Sequence, residues 1–213
     1  MFYWFSWGLS ALVSAFRLGA GHSPREPLKT APVPILFEFE ACPFCRIARE
    51  SISEAGLVVN VKPCPKRGLR YRPDVTMLGG KAQFPFLVDV TSGEGQYESK
   101  VIAEFAEDKA GRIRPWVHWL GPVNTLSSFY SNLLRFYCGG SAEPSREPEK
   151  PLEYYGSEID PGGRLVKERL CAMELEYIWH PVRERPKLHD PNTGLDVRGG
   201  GAIRKYLRTQ YAA

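Results

Sequence analysis

Two cysteines separated by two residues, Cys42-Pro43-Phe44-Cys45, have the clearest chemical reach in this 213-residue chain. They follow an apolar run, Ile35 to Phe39, suited to a β-strand. They open a segment in which Ile47, Ala48 and Ile52 recur at helical spacing. A cysteine there stands at a helix N-cap, where unbonded N–H groups and the helix dipole favour a thiolate. Cys42 should therefore titrate below the free-thiol value of about 8.5. Cys45, one turn on, can reach back to resolve a mixed disulfide. Arg46 adds local positive charge, and Pro43 fits the first helical position, where a missing N–H costs nothing. Two other readings stay open: an inert pair at a helix start, and a metal or iron–sulfur site. Cys64 could give zinc a third ligand, but no fourth is evident.

Further candidates lie downstream. Phe84-Pro85 precedes an apolar run, and proline marks a strand start because it cannot donate within a ladder. It reads either as an ordinary loop proline or as a cis-proline facing the cysteines, which would free a backbone edge for a substrate's main chain. Tyr97-Glu98-Ser99 enters a helix, either as a plain cap or as a helix start that holds a carboxylate. Lys81, Gln83 and Arg72 are solvated loop residues that become substrate contacts if a cleft forms beside them. His22, His118, His180 and His189 show no ligand spacing, and no metal is expected. Cys138 and Cys171 suit apolar helix faces.

These residues need a scaffold, and the pattern supplies one. Strands are expected over Ile35 to Phe39, Leu57 to Val61, Phe84 to Val90 and Gly95 to Tyr97. Helices are expected from Pro43 to a stop at Gly56, over Pro73 to Leu78, and over Ser99 to Lys109. The order is βαβαββα, an α/β fold. His22 to Pro34 and residues 141 to 150 read as linkers. Between them, Val123, Leu126, Tyr130, Leu133 and Tyr137 follow Pro122 at heptad-like spacing and imply an amphipathic helix. The first segment, Phe2 to Phe16, is uncharged and rich in Phe, Trp and Leu. It is shorter than the roughly 20 residues of a spanning helix and lacks the positive n-region of a secretory signal. Docking on the protein or a membrane surface, a targeting remnant and a true anchor are the available readings. Net charge is +4, with no dense basic run, which argues against nucleic acid. One close cysteine pair plus three scattered cysteines suits a reducing compartment.

The chain also repeats itself. Pro43 and Pro161 stand 118 positions apart, and the same offset relates Glu40 to Glu158, Arg46 to Arg164, Glu50 to Glu168 and Leu57 to Leu175. Further on the offset is 101, relating Pro85 to Pro186, Asp89 to Asp190, Gly93 to Gly194 and Ile102 to Ile203. A second copy over 151–213 would thus be shortened near the short second helix. It has Asp160 and Gly163 for the two cysteines and Gly199-Gly200 for Glu98-Ser99, so it cannot exchange disulfides. A gene model lacking an exon would leave the same gap. Without that helix, one apolar sheet face of the second copy should need cover from elsewhere.

The segments Glu40-Ala41-Cys42-Pro43-Phe44-Cys45-Arg46, Pro63-Cys64-Pro65, Tyr71-Arg72-Pro73, Gly79 to Asp89 and Tyr97-Glu98-Ser99 resemble the tandem thioredoxin-like proteins of plants and algae. These carry two domains of the glutaredoxin and glutathione S-transferase N-terminal type. Asp190-Pro191-Asn192-Thr193-Gly194 and Tyr206-Leu207 extend the resemblance, more weakly, to the second copy. It implies a thioredoxin-like fold in tandem, with an aromatic segment and linker over 1–34, the first domain over 35–111, a helix and linker over 112–150 and a degenerate domain over 151–213. It implies glutathione as co-substrate and disulfides or glutathionylated proteins as partners. It places Cys42 and Cys45 as catalytic residues, with Pro43, Phe44, Arg46, Lys81, Gln83, Phe84, Pro85, Glu98 and Ser99 around the tripeptide. A plastid location is implied, otherwise the cytoplasm. The activity expected is a glutaredoxin-like disulfide oxidoreductase. The alternative is a non-catalytic glutathione- or protein-binding module that docks, in part, through residues 2–16.

Overall fold

The structure is a computed structural model that describes residues 2–16, 20–111, 128 and 139–213. In chain order its elements are α1 (Phe2–Phe16), β1 (Ile35–Glu38), α2 (Pro43–Ala55), β2 (Val59–Pro63), α3 (Arg72–Gly79), β3 (Phe86–Asp89), β4 (Glu94–Tyr97), α4 (Ser99–Ala110), β5 (Leu152–Tyr155), α5 (Pro161–Ala172), β6 (Tyr177–His180), β7 (Lys187–Asp190), β8 (Leu195–Arg198) and α6 (Gly200–Tyr211). These strands form one sheet in the order β4-β3-β1-β2-β6-β5-β7-β8. β1 is parallel to β2, and β5 to β6, while β3, β4, β7 and β8 pair antiparallel. At the seam β2 meets β6 antiparallel, with Val59 opposite Trp179 and Val61 opposite Tyr177. Read outward from that seam, the two halves have the same order of pairings.

Alternation along the strands sorts side chains to two faces. One face carries Leu36, Val59, Val61, Leu87, Leu152, Tyr154, Tyr177, Trp179 and Leu188 in a single buried cluster that crosses the seam. Ala48 and Ile52 of α2, Ile102 and Ala106 of α4, Val166 and Leu170 of α5, and Ile203 and Leu207 of α6 complete it. On this face one core thus serves both halves of the sheet. On the other face, α3 covers only the first half, where Tyr71 and Val75 pack on Phe37, Phe86 and Cys64.

Six residues separate β6 from β7, and no helix stands there. The face so left is not apolar as expected. The register puts Glu153, Tyr155, Ile178, His180, Lys187, His189, Asp196 and Arg198 on it. Tyr155 stacks on His180 at 4.3 Å and donates to Glu153 at 2.7 Å. Lys187 and His189 reach Asp196 at 3.1 and 2.9 Å. Ile178 is the apolar member of a face otherwise made of paired charges and aromatic edges, which tolerates water without a covering helix.

The second strand begins two residues later than its apolar run. Leu57 and Val58 are engaged by the preceding segment, since Leu28 N–H donates to Gly56 and Val58 N–H donates to Leu28. Only from Val59 does the chain lie in the sheet. The two expected linkers are likewise tied down. Arg183 N–H donates to Pro24, Ala142 N–H to Lys66, Glu143 N–H to Ala172 and Arg146 N–H to Tyr211. The helix expected over 122–138 lies, apart from Ser128, outside the described residues.

Candidate active site

Helix α2 begins as its sequence requires. Cys42 is the N-cap, with φ −86° and ψ 122°, Pro43 occupies the first turn, and Gly56 closes the far end at φ 71°. Cys42 Sγ accepts a hydrogen bond from the Cys45 N–H at 3.3 Å, the position a capping oxygen usually holds. A hydrogen bond from the Cys45 side chain, aided by the Cys45 and Phe44 N–H groups and the Arg49 charge, holds the Cys42 thiol below its ordinary value against the opposing effect of burial. Burial pushes Cys45 well above its ordinary value. One sulfur is therefore disposed to ionise and the other to stay a thiol, the division of labour that stepwise disulfide exchange needs. Cys42 is 5% exposed, Cys45 is fully buried and Phe44 is 43% exposed.

Contacts run from this cap to the other candidates. The Cys42 N–H donates to the Phe39 carbonyl at 3.0 Å. The Phe39 ring meets Phe84 edge-on at 5.8 Å. Arg72 lies over the Phe84 ring at 4.7 Å, and its Nε donates to the Cys64 and Pro65 carbonyls. The Phe84–Pro85 peptide is cis. Gln83 Nε2 donates to Glu98 Oε1 at 2.6 Å, and Tyr97 Oη donates to the Lys81 carbonyl at 2.8 Å. Lys81 Nζ stands 4.5 Å over the Tyr97 ring. Lys81, Gln83 and Glu98 thus share one wall, and Phe84-Pro85 links it to the cysteines. Phe39, Arg72 and Tyr97 belong to this wall too. Phe39, read in sequence only as a strand end, was recoverable as the aromatic that follows β1 three residues before Cys42.

Arg46 is not on that wall. It is 2% exposed and turns inward with Arg49, so the guanidinium acting on Cys42 comes from Arg49. Arg49 is fully buried amid three carboxylates. It pairs with Glu38, with Glu40 at 3.1 Å and with Glu158 at 3.4 Å. Lys167 of α5 also pairs with Glu158. Burial draws Lys167 down to about 7. Cys171 lies here as well, accepting from the Glu40 N–H at 3.3 Å, so its helix face is polar and not apolar as expected. A sequence signal existed: Arg46, Arg49 and Glu50 recur at the helical interval on a face of α2 separate from the one that carries Ala48 and Ile52.

The second half repeats the geometry with other chemistry. Asp160 caps α5 at φ −68° and ψ 121°, its carboxylate accepting from the Gly163 N–H. A carboxylate thus fills the place of the Cys42 sulfur. A side chain at Gly163 would collide with the Tyr154 hydroxyl, so the place of Cys45 is taken. A Cβ at Gly200 would stand 2.6 Å from the Gly162 carbonyl, so the starts of α5 and α6 are in backbone contact. The corresponding residues in the first half are Ser99 and the exposed Phe44.

Residues 36–114 match the glutathione S-transferase, N-terminal domain family. That stretch is a thioredoxin-like domain, and the mixed α/β architecture described above is consistent with that fold. No curated protein and no solved structure matches the chain. Among the described residues, no group of His, Cys, Asp and Glu side chains could hold a metal ion.

Proposed function

We propose that the first half binds glutathione and performs thiol–disulfide exchange through Cys42. The observation that carries this reading is the backbone at Glu98. Glu98 has φ 70° and ψ 126°, and Gly199, its counterpart in the second half, has φ 86° and ψ 134°. Glycine adopts this conformation freely, whereas a residue with a Cβ is strained there by about 1–3 kcal/mol. The half with a cysteine pair keeps a carboxylate at that cost, and the half without one does not. The family match is compatible with glutathione as the ligand, and in this reading the Glu98-Ser99 helix start and Gln83 take its charged end. Phe44, Lys81, Phe84 and Pro85 complete the contact surface.

In the exchange step the Cys42 thiolate attacks the glutathione sulfur of a protein–glutathione mixed disulfide. The protein leaves as thiolate, and Cys42 carries the glutathionyl group. A second glutathione thiolate then attacks that sulfur, releasing oxidised glutathione and restoring Cys42. Alternatively Cys45, after losing its proton, displaces glutathione and leaves a Cys42–Cys45 disulfide. The two halves sharing one strand order, cap geometry and positive-φ position support descent from a duplicated domain, the second copy retained for packing.

The burial of Cys42 favours a second reading, a binding module whose thiols do not turn over. The two readings separate with a glutathionylated peptide and a glutathione-binding titration. The catalytic reading expects turnover that Cys42→Ser abolishes and Cys45→Ser largely spares. Wild-type rates in Cys42→Ser would overturn it. Glutathione binding without turnover in the wild-type protein would favour the module.

A further inference from the structure

Helix α1 is built inside out. Its fifteen residues carry no charge. Ser10 and Ser14, one turn apart, face the protein. Ser10 is fully buried, and Arg164 Nη1 donates to its carbonyl and hydroxyl at 2.7 and 3.0 Å and to the Ser14 hydroxyl at 3.2 Å. Ser14 in turn donates to the Ile159 carbonyl at 2.6 Å. The polar stripe that a surface helix normally shows to water is thus spent on a buried guanidinium. Outward, Trp7 is 40% exposed and Leu12 57% exposed. At the end of the helix, a cleft of about 460 Å³ is lined by Ser14, His22, Asp160, Arg183, Glu184 and Arg185. Asp160 is engaged as the cap of α5. Arg25 joins Arg183 and Glu184 in a hollow that shares those two residues with the cleft.

We propose that α1 is an interfacial helix that seats the protein on an anionic phospholipid surface. Of the large side chains described as exposed on α1, Trp7 and Leu12, only the Trp7 indole offers a protein partner a directional contact, whereas an acyl layer asks for none. Tryptophan is enriched at the boundary of hydrocarbon and water. The three arginines beside the helix end complement lipid phosphates, whose attraction adds to apolar insertion. The helix lies on the bilayer and does not cross it. No helix among the described residues is long and apolar enough to span. This inference is independent of the glutathione site.

The test is flotation of the full chain with vesicles of phosphatidylcholine, alone or with phosphatidylglycerol. Trp7→Asp/Leu12→Asp changes only exposed positions and leaves the Ser10–Arg164 contacts in place. Arg183→Glu/Arg185→Glu reverses the charge at the cleft. Circular dichroism verifies that both variants are folded. The wild-type protein is expected to float with phosphatidylglycerol vesicles. The apolar pair should weaken binding about tenfold or more, from loss of buried side chains. The charge reversal should remove the preference for the anionic lipid. Failure of the wild-type protein to float overturns the proposal. So does flotation unchanged in the apolar pair, or a dimer in sedimentation that the apolar pair dissociates while wild-type vesicle binding is absent.

Discussion

Arg49 of α2 and Glu158, just ahead of α5, form an ion pair at 3.4 Å with both side chains removed from solvent. They are 109 positions apart in sequence, and their contact ties the helix of the cysteine pair to the other half. Breaking a buried ionic cluster by removing one partner typically costs about 3–5 kcal/mol, because the remaining charges stay desolvated. Arg49→Met should lower stability by that order in a denaturant melt. Adding Glu38→Gln should recover part of the loss. A change below about 1 kcal/mol in the single variant would count against a structural role for the cluster.

Lys167 gives the same cluster a pH signature. Burial lowers its folded value to about 7, against about 10.4 for a free lysine. Between those values the unfolded chain binds a proton that the folded chain does not, so this group makes stability rise with pH through the window. The stability difference between the wild-type protein and Lys167→Met should therefore change in favour of the wild type from pH 7 to pH 9. Paired melts at the two pH values measure it, and a flat difference would refute it.

Cys42 and Cys45 should separate kinetically. The Cys45 hydrogen bonds and the Arg49 charge lower Cys42, and burial raises Cys45. Alkylation of the reduced protein should rise with a midpoint below the free-thiol value of about 8.5 and label Cys42 first. In Cys45→Ala the midpoint should move up, since the donating side chain is gone. The small exposure of Cys42 predicts a low absolute rate even where it is ionised.

Glu98→Gly should divide function from stability. The glycine fits φ 70° without strain, so the melt should be unchanged or raised by up to about 1 kcal/mol. Glutathione affinity should fall, as titration calorimetry would register. A variant that loses stability along with affinity would mean that Glu98 is held for packing.

Restoring cysteines to the second half should fail. Asp160→Cys/Gly163→Cys places a side chain against the Tyr154 hydroxyl, and overpacking of this kind costs about 1–3 kcal/mol. The variant should melt earlier and add no disulfide-exchange activity. Including Tyr154→Leu should recover the melt.

Local signals were readable in sequence where one residue type decides the backbone. Pro43 at the first helical turn and Gly56 past the last are of this kind, as is the Cys-x-x-Cys cap itself. The wall from Lys81 to Ser99 was legible as separate pieces but not as the contact from Gln83 to Glu98, which needs the fold. Arg46 misled because local charge counting assumes a side chain stays near its own helix end. Here Arg46 turns into a cluster that includes Glu158 and Lys167, more than a hundred positions away. The start of β2 escaped because Leu57 and Val58 are as strand-like as Val59, and only their partner Leu28 decides the matter. The polar face of β5 to β8 was visible as Glu153, Tyr155, Lys187 and His189 at alternate positions. It was hidden by the assumption that both halves bury the same surfaces.

The seam between β2 and β6 has a consequence for any attempt to cut the chain in two. Each of those strands would end its own four-stranded sheet, with its unpaired N–H and C=O groups presented to whatever comes near. Val59 and Val61, fully buried beside Trp179 and Tyr177, would become a greasy, flat border. A fragment comprising residues 35–111 would therefore be expected to self-associate, and its most natural mate would be another copy of itself turned about a two-fold axis. The covalent link supplies that mate in advance. It lets one member of the pair keep the thiols while the other is free to lose them.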